Sequence, residues 1–186
     1  LRAIPGFQQV VNKVASVFGE RGVRHLFTAN AVRVGPTQRP DLDALWTSAT
    51  DMMKSSGSGI ASAMNPGAYL GALMGALAHR GCDKVSIFTS PSISSFGSWA
   101  EQLVAESTGK EGKGIVPVVG ASIGMPHDYS SDRVFVYIKV QDDPGNAELD
   151  PLIRALREAG HPRLTLLIKD RYALGGEFFR WEYATA

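Results

Sequence analysis

Four short apolar runs alternate with longer stretches of helical periodicity, and this alternation limits the possible folds more than any other feature of the sequence. The runs predict β-strands at Lys84–Thr89, Ile115–Val119, Val134–Val140 and Leu164–Ile168. Strands that alternate with helices of roughly ten residues or more favour a mostly parallel sheet, because parallel neighbours need a crossover connection. Right-handed crossovers then place helices on both faces. The sequence therefore predicts an α/β fold, a layered α/β/α sandwich of Rossmann-like type with a mostly parallel sheet.

Helix start and stop signals lie between the predicted strands. Asp41 is a candidate N-cap for a helix that runs to about Met53, and Asn65 with Pro66 begins a second helix that Gly81 ends. Three more helices are predicted, at Ser98–Ser107, at Leu149–Ala159 and from Gly175 to the end of the chain.

Residues 1–40 have a pattern of their own. Phe7–Phe18 shows helical spacing of apolar residues, Val23–Ala29 is a candidate short strand, and Asn30–Pro40 is loop-like because it contains several Gly and Pro residues. We therefore predict two units. Residues 1–40 form an N-terminal helix and an irregular segment, interpreted as a remnant of an inter-domain region, and residues 41–186 form one folded domain.

The charge balance and the cysteine count exclude several classes of function. Lys plus Arg total 19 and Asp plus Glu total 18, so the formal net charge is +1 and no global positive field is present to hold a nucleic-acid backbone. The single cysteine, Cys82, excludes a disulfide framework and a cysteine-based zinc site. No apolar run approaches the ~18 residues of a membrane span, and Leu1–Gly6 lacks the basic region followed by an apolar region that is typical of a signal peptide. We expect a cytoplasmic protein that binds neither nucleic acid nor membrane.

The segment Gln102–Gly112 carries the most informative polar residues. Gln102 and Glu106 are four residues apart and share one face of the predicted helix. Glu106 lies near the helix C-terminus, where the negative end of the helix dipole opposes an unpaired carboxylate and favours its protonated form. Such a carboxyl group suits a general base near neutral pH. The competing interpretation, a solvated helix end with routine charges, is favoured by composition alone.

The fold class predicts where this segment lies. Ligands of open parallel sheets bind beyond the carboxyl ends of the strands. We expect two segments at that edge, Gln102–Gly112 and Thr89–Gly97, the latter predicted to be a loop from Ser90 onward. Lys110 and Lys113 follow Glu106 by about two helical turns or less, and there they can offset its charge or hold an anion.

Three further features have weaker signals. Ser55–Gly59 (SSGSG) is interpreted as a flexible linker rather than a phosphate cradle. The histidines show no ligand spacing, so no metal site is predicted, although His127 and His161 adjoin prolines in predicted loops and are candidates for a site. An aromatic run near the C-terminus is predicted to pack in the core or at an interface, and comprises Phe178, Phe179, Trp181 and Tyr183.

A family resemblance adds to this interpretation. Trp99–Pro117 (WAEQLVAESTGKEGKGIVP) resembles the second glutamate-bearing signature of the phosphoglucose isomerases. Three flanking blocks are similar to the branch of that family that is often fused behind a transaldolase, and they read NPGAYLGALMGALAHRGCDK, DRVFVYI and LGGEFFRWEYATA. The four blocks occur in consistent order across residues 41–186.

The resemblance implies a sugar-isomerase (SIS) fold for residues 41–186, in agreement with the α/β sandwich predicted from the strand pattern. It also implies the interconversion of glucose 6-phosphate and fructose 6-phosphate, a step of glycolysis and gluconeogenesis, through a cis-enediol and without a metal or organic cofactor. By resemblance Glu106 is the base that moves the proton, Gln102 contacts the sugar chain, and His161 in the sequence GHP is a catalytic histidine of ring opening. The residues implied for the pocket wall are Ser107, Thr108, Gly109 and Lys110.

The resemblance also implies partners. Members of the family carry two SIS domains, and their active site lies between the domains and borrows from a second subunit. The implied partners of this chain are a sugar phosphate substrate, a first SIS domain and a second copy in a homodimer. We therefore expect the surface around Glu106 and Trp99 to be covered in the assembly.

The sequence departs from the family pattern at several places. The Ser/Thr-rich phosphate loop of the first SIS domain is not found, and Phe27–Pro36 lacks the family's Gly-Gly-Arg element, with Arg24 and Arg33 out of place. The chain stops at Ala186, before a late Gln and Lys of the family. It is interpreted as one domain of an isomerase or as a degenerate relative. The alternatives are a non-catalytic sugar-phosphate-binding SIS domain and a structural dimerisation module.

Overall fold

A computed structural model describes residues 41–57 and 59–186 as a parallel sheet with helices on both faces. The four strands are β1 (Lys84–Thr89), β2 (Val116–Val119), β3 (Arg133–Val140) and β4 (Arg163–Ile168), in the order β2-β1-β3-β4. Every neighbouring pair is parallel. All four predicted strands are confirmed to within one residue at each end, because each is a continuous apolar run bounded by turn residues.

Five helices accompany the sheet in the described part of the chain. They are α1 (Leu42–Ser55), α2 (Pro66–Ala78), α3 (Ser94–Thr108), α4 (Asn146–Glu158) and α5 (Leu174–Thr185). Both predicted N-caps are confirmed, since Asp41 accepts a hydrogen bond from the Ala44 amide and Asn65 accepts one from the Ala68 amide. Short 3-10 turns lie at Ser62–Met64, Pro91–Ile93, Pro126–Asp128 and Arg171–Ala173.

Two apolar layers hold the helices to the sheet. The larger layer lies on the face formed by Val85, Ile87 and Val136, and there α3 and α5 pack with α1 and α2. The smaller layer lies on the opposite face, where α4 contributes Ile153 and Leu156 beside the strand residues Phe135 and Tyr137. Alternate residues of β3 therefore enter different layers, as a strand buried on both faces requires. The predicted α/β/α sandwich of Rossmann-like type is confirmed.

The start of α3 corrects one prediction. Ser90–Gly97 was expected to be a loop, but a 3-10 turn follows Ser90 directly and α3 begins at Ser94. Gly97 is a residue of close packing rather than a helix breaker, because a Cβ added there would lie 2.8 Å from the Val119 Cγ1 of β2. The missing side chain lets α3 approach the edge strand.

Several smaller predictions also have an outcome. Phe178 and Trp181 are buried core residues, and so is Cys82. Ser56, predicted to lie in a flexible linker, is instead buried, and its carbonyl accepts a hydrogen bond from the Asn65 side chain. The predicted helix, strand and loop of residues 1–40, with Arg24, His25 and Arg33, lie outside the described residues. Within the described ranges, no helix combines the length and apolar character needed to cross a membrane.

Candidate functional site

The C-terminal end of α3 lies at the amino edge of the sheet. The hydroxyl of Thr108, the last residue of α3, accepts a hydrogen bond from the amide of Ile115, which directly precedes β2. The first residue of β2, Val116, pairs with Lys84, the first residue of β1. The expectation that Gln102–Gly112 lies beyond the carboxyl ends of the strands is therefore wrong. A crossover helix returns the chain to the start of the next parallel strand, so only the beginning of α3 lies at the carboxyl edge.

Gln102 and Glu106 form one exposed polar pair on α3. The Gln102 Nε2 donates a hydrogen bond to the Glu106 Oε1 at 3.1 Å. This pairing confirms that the two side chains share one helix face, as their spacing predicted. Among the described residues, no other group hydrogen-bonds to this carboxylate. The Glu106 carboxyl group is thus accessible from solvent and oriented by a single amide.

A tight turn follows α3. The amide of Lys110 donates to the carbonyl of Lys113 and the amide of Lys113 donates back, both at 2.9 Å. The two central residues, Glu111 and Gly112, have φ of 53° and 72°, which is the pattern of a two-residue turn of type I′. Glu111 is a non-glycine residue in the left-handed region, which is uncommon. The turn places two exposed lysines directly opposite each other, close in sequence to Glu106.

The other residues implied for the pocket wall divide into two kinds. Ser107 and Lys110 are exposed. Thr108 is half-buried, and its hydroxyl donates to the Val104 carbonyl at 2.8 Å and accepts from the Ile115 amide at 3.0 Å. Gly109 lies so close to the helix that a Cβ there would be 2.8 Å from the Ala105 carbonyl oxygen. The side chain of Thr108 is therefore engaged inside the fold rather than directed to solvent.

His161 lies on the other face of the sheet. Its Nε2 is 2.9 Å from the Pro126 carbonyl oxygen, and its ring packs 5.5 Å from the Phe135 ring of the smaller layer. By contrast, α3 packs into the larger layer. The sheet consequently separates His161 from Glu106 within one copy of the chain. His127, the other candidate, is exposed, and its Nε2 lies 3.6 Å from the Asp128 Oδ1.

The carboxyl edge of the sheet, where ligands of this fold class usually bind, is sealed between β1 and β3. The Ser90 hydroxyl donates to the Asn146 Oδ1 at 2.6 Å and accepts from the Val140 amide. The Tyr137 hydroxyl donates to the same Asn146 Oδ1 at 2.8 Å, and the Asn146 Nδ2 donates to the Val140 carbonyl at 2.7 Å. All of these groups are buried. The usual crevice at this switch point is thus filled by side chains that satisfy one another.

Neighbouring polar groups extend this hydrogen-bond network at the carboxyl edge. Asp143 accepts hydrogen bonds from the amides of Ser92 and Gly145. Burial opposes its ionisation, but hydrogen bonding by the Ser92 side chain together with these amide hydrogen bonds outweighs burial and lowers the pKa of Asp143. Burial, with a smaller contribution from nearby Asp150, raises the pKa of Tyr137 to about 12, so its hydroxyl stays a donor at neutral pH.

No local signal in the sequence predicts this seal. Ser90 and Asn146 are 56 residues apart, and each is an ordinary turn or cap residue when read alone. Only the parallel pairing of β1 with β3 brings them together.

Charges at the amino edge are largely paired with one another. The Lys84 Nζ lies 3.1 Å from Asp83 and 3.0 Å from Asp132, and Arg133 adjoins Asp132. Hydrogen bonding by Ser130, and then by Lys84, lowers the pKa of Asp132 to about 2. These pairs stabilise the starts of β1 and β3. The exposed cations nearest in sequence to Glu106 are Lys110 and Lys113.

A shallow groove of about 540 Å³ lies elsewhere, between α1 and the β4–α5 connection. Its polar lining residues are Thr47, Ser48, Asp51, Ser55, Lys169, Asp170 and Tyr172. The Asp170 Oδ1 accepts from the amides of Tyr172 and Ala173, so this oxygen is engaged within the fold. In residues 41–57 and 59–186, no group of three or more His, Cys, Asp or Glu side chains is arranged to hold a metal ion.

Comparison with known proteins supports the fold alone. No protein-family model matches the chain. A similar solved structure is that of the hypothetical protein TT0462 from Thermus thermophilus, with a TM-score of 0.66 and 19% sequence identity. The match covers 78% of this chain and 44% of that protein, so the chain spans less than half of its length. At this level of identity the likeness shows a shared α/β architecture.

Proposed function

We propose that residues 41–186 act as a sugar-isomerase (SIS) domain of the phosphoglucose isomerase type, in the cytoplasm, on glucose 6-phosphate and fructose 6-phosphate. The observation that carries the proposal is the accessible Glu106 carboxylate on the last turns of α3, held by the Gln102 amide at 3.1 Å. The carboxyl edge supports the same choice, because its polar side chains between β1 and β3 are buried and already hydrogen-bonded to one another.

The proposed chemistry uses one carboxyl group twice. After ring opening, a Glu106 carboxylate oxygen accepts the proton from C2 of the aldose, the C2 electron pair forms the C1–C2 double bond, and the C1 carbonyl oxygen takes the negative charge of a cis-enediolate. Uptake of a proton by O1 and loss of the proton of the O2 hydroxyl, which balance each other, carry the cis-enediol to the C2 carbonyl, while Glu106 returns its proton to C1 to give the ketose. Gln102 orients the carboxylate and contacts the sugar chain. The reaction needs no metal or organic cofactor, because the same group accepts and returns the proton.

The enediolate that forms carries negative charge, and a second wall of the site must stabilise it. Within the described residues, Glu106 makes no hydrogen bond or ion pair with a basic side chain. We place the missing groups on a first SIS domain or a second copy of the chain. In this arrangement His161 can serve in ring opening only across such an interface, since the sheet separates it from the Glu106 of its own copy.

Steady-state isomerisation with a Glu106→Gln variant tests this function. The assay uses the 186-residue chain and any longer polypeptide that contains it. A general base contributes about a hundredfold or more to the rate, so Glu106→Gln lowers kcat/KM by at least that factor. Glu101→Gln is the matched control, since it makes the same change on the same helix and is expected to retain activity. A loss below about a hundredfold in Glu106→Gln contradicts the role of general base.

One observation favours a second candidate function, a non-catalytic sugar-phosphate-binding domain. The Glu106 carboxylate has a single amide partner among the described residues, and the chemistry of an enediolate needs more than that. Calorimetric titration with fructose 6-phosphate separates the two functions. Binding without turnover in the chain and in longer polypeptides supports the second function, whereas turnover that Glu106→Gln abolishes supports the first.

A further inference from the structure

We infer that Thr108 is a positioning residue for Glu106, an inference that rests on the proposed isomerase function. Thr108 is the last residue of α3 and lies two positions after Glu106. Its side chain is half-buried, and its hydroxyl is engaged by hydrogen bonds within the fold. It joins the last turn of α3 to Ile115, the residue that directly precedes β2.

Two short hydrogen bonds of one hydroxyl make this connection, beside a longer one of 3.5 Å to the Ile115 carbonyl oxygen. The Thr108 Oγ1 donates to the Val104 carbonyl at 2.8 Å and accepts from the Ile115 amide at 3.0 Å. The last carbonyls of a helix lack intrahelical partners and its last turn tends to fray. Thr108 bonds back to the carbonyl four residues earlier in the helix and ties this last turn to Ile115, directly ahead of β2. The helix end that carries Glu106 is therefore fixed relative to the sheet.

The loop that follows has little freedom to compensate for the loss of this connection. A Cβ added to Gly114 would lie 2.9 Å from the Gly109 Cα and 3.0 Å from the Thr108 carbonyl oxygen. Gly114 also has φ of 152° and Glu111 has φ of 53°, both in the left-handed half of backbone space. The segment between α3 and β2 thus packs directly on the end of α3. A shift of Thr108 therefore moves both this segment and the helix end.

The Gln102 hydrogen bond cannot replace this constraint. It orients the Glu106 carboxylate along the helix surface, but both residues belong to α3 and move with it. Thr108, by contrast, hydrogen-bonds this turn to the residue that directly precedes β2. A displacement of a reacting group by about 1 Å can cost on the order of a hundredfold in rate. Loss of the connection is therefore expected to slow proton transfer more than it weakens substrate binding.

The test compares Thr108→Val, which keeps the shape and removes both hydrogen bonds, with Thr108→Ser, which keeps the hydroxyl. In the isomerisation assay Thr108→Val lowers kcat by roughly 10- to 100-fold with KM within about twofold, and Thr108→Ser stays within about threefold of the wild type. The matched control is Thr185→Val. Thr185 ends α5 and also donates to the carbonyl four residues before it, but it lies on a different helix.

The inference is overturned if Thr108→Val keeps kcat within about threefold, if Thr108→Ser loses as much as Thr108→Val, or if KM rises while kcat stays. Amide hydrogen exchange on the wild-type chain provides a readout that does not need a folded variant. The Ile115 amide is expected to exchange more slowly than those of Glu111 and Gly112, and an equally fast Ile115 amide also overturns the inference. A wild-type protein without isomerase activity, or with activity that survives Glu106→Gln, refutes the proposed function itself and with it the inference.

Discussion

The two edges of the sheet are built in opposite ways. At the carboxyl edge, Ser90, Tyr137 and Asn146 are buried and satisfy one another by hydrogen bonds. At the amino edge, Gln102 and Glu106 are exposed and share one hydrogen bond. Buried polar groups that are fully paired fix a structure, whereas exposed groups with free hydrogen-bonding capacity can bind a ligand. The comparison indicates that the carboxyl edge stabilises the fold, whereas the amino edge presents polar groups with free hydrogen-bonding capacity.

This difference goes against the general rule for open parallel sheets. The rule rests on the crevice that forms where neighbouring crossovers leave the sheet on opposite faces. Here α3 leaves β1 on one face and α4 leaves β3 on the other, so the crevice is expected between these strands. The Ser90 and Asn146 side chains occupy it. Fold class therefore locates a possible site, and the side chains decide whether it is open.

The largest effect on stability is expected at the sealed edge. Asn146→Ala leaves Ser90, Tyr137 and the Val140 carbonyl without their buried partner. Buried polar groups without partners cost about 1–3 kcal/mol each, so we expect the free energy of unfolding to fall by about 3 kcal/mol after partial relaxation. Urea unfolding followed by circular dichroism measures this loss.

Two further variants sharpen that result. Tyr137→Phe removes one of the two donors to the Asn146 Oδ1 and is expected to cost about 1 kcal/mol. Glu106→Gln changes an exposed group and is expected to leave the free energy of unfolding within about 0.5 kcal/mol of the wild type while it abolishes activity. If Asn146→Ala costs less than about 1 kcal/mol, the carboxyl edge is not held by the network we describe.

A smaller effect on stability is expected at acid pH, and it comes from the charged groups of the amino edge. The pKa of Asp132 is lowered from its usual value of 3.8 to about 2 in the folded chain. A depressed carboxyl pKa contributes stability above the unfolded value that is lost as the pH falls through the folded value. The urea midpoint of the wild type should therefore decline between about pH 4 and pH 2 more steeply than that of Asp132→Asn.

The control for this experiment is Asp51→Asn, which removes an exposed carboxylate that lies 3.4 Å from Lys54. Exposed pairs of this kind contribute little to stability. If the urea midpoints of the wild type and Asp132→Asn fall equally steeply from about pH 4 to pH 2, the contacts of Asp132 with Ser130 and Lys84 do not stabilise the strand starts.

Local patterns in the sequence were sufficient to predict most of the fold. The apolar runs predicted the four strands, and Asp41 and Asn65 predicted two helix starts, because strand burial and N-capping depend on residues that are neighbours in the chain. The predicted loop Ser90–Gly97 extended too far, since Gly97 lies in α3, because a loop glycine and a helical glycine of close packing look alike in sequence. A side chain is excluded at Gly97 because α3 approaches Val119 of β2, and this approach exists only after the sheet has formed.

The candidate site was less predictable than the fold. The spacing of Gln102 and Glu106 predicted their contact, but not the edge of the sheet at which they lie. His161 was assigned by resemblance, and the structure places it in the other apolar layer. The Ser90–Asn146 network has no local signal, since its members meet only through strand pairing. Contacts between residues distant in sequence therefore set the limit of the prediction.

Titration of the isotopically labelled chain with fructose 6-phosphate, followed by amide chemical shifts, tests the central claim most directly. The account predicts that the largest shifts occur at residues 102–114 and that residues 90–97 and 140–146 change little. A Glu106→Gln sample titrated in parallel should show weaker shifts over the same segment. Largest shifts at the carboxyl edge or along the groove beside α1, or no shifts at all, would contradict the assignment of function to the amino edge.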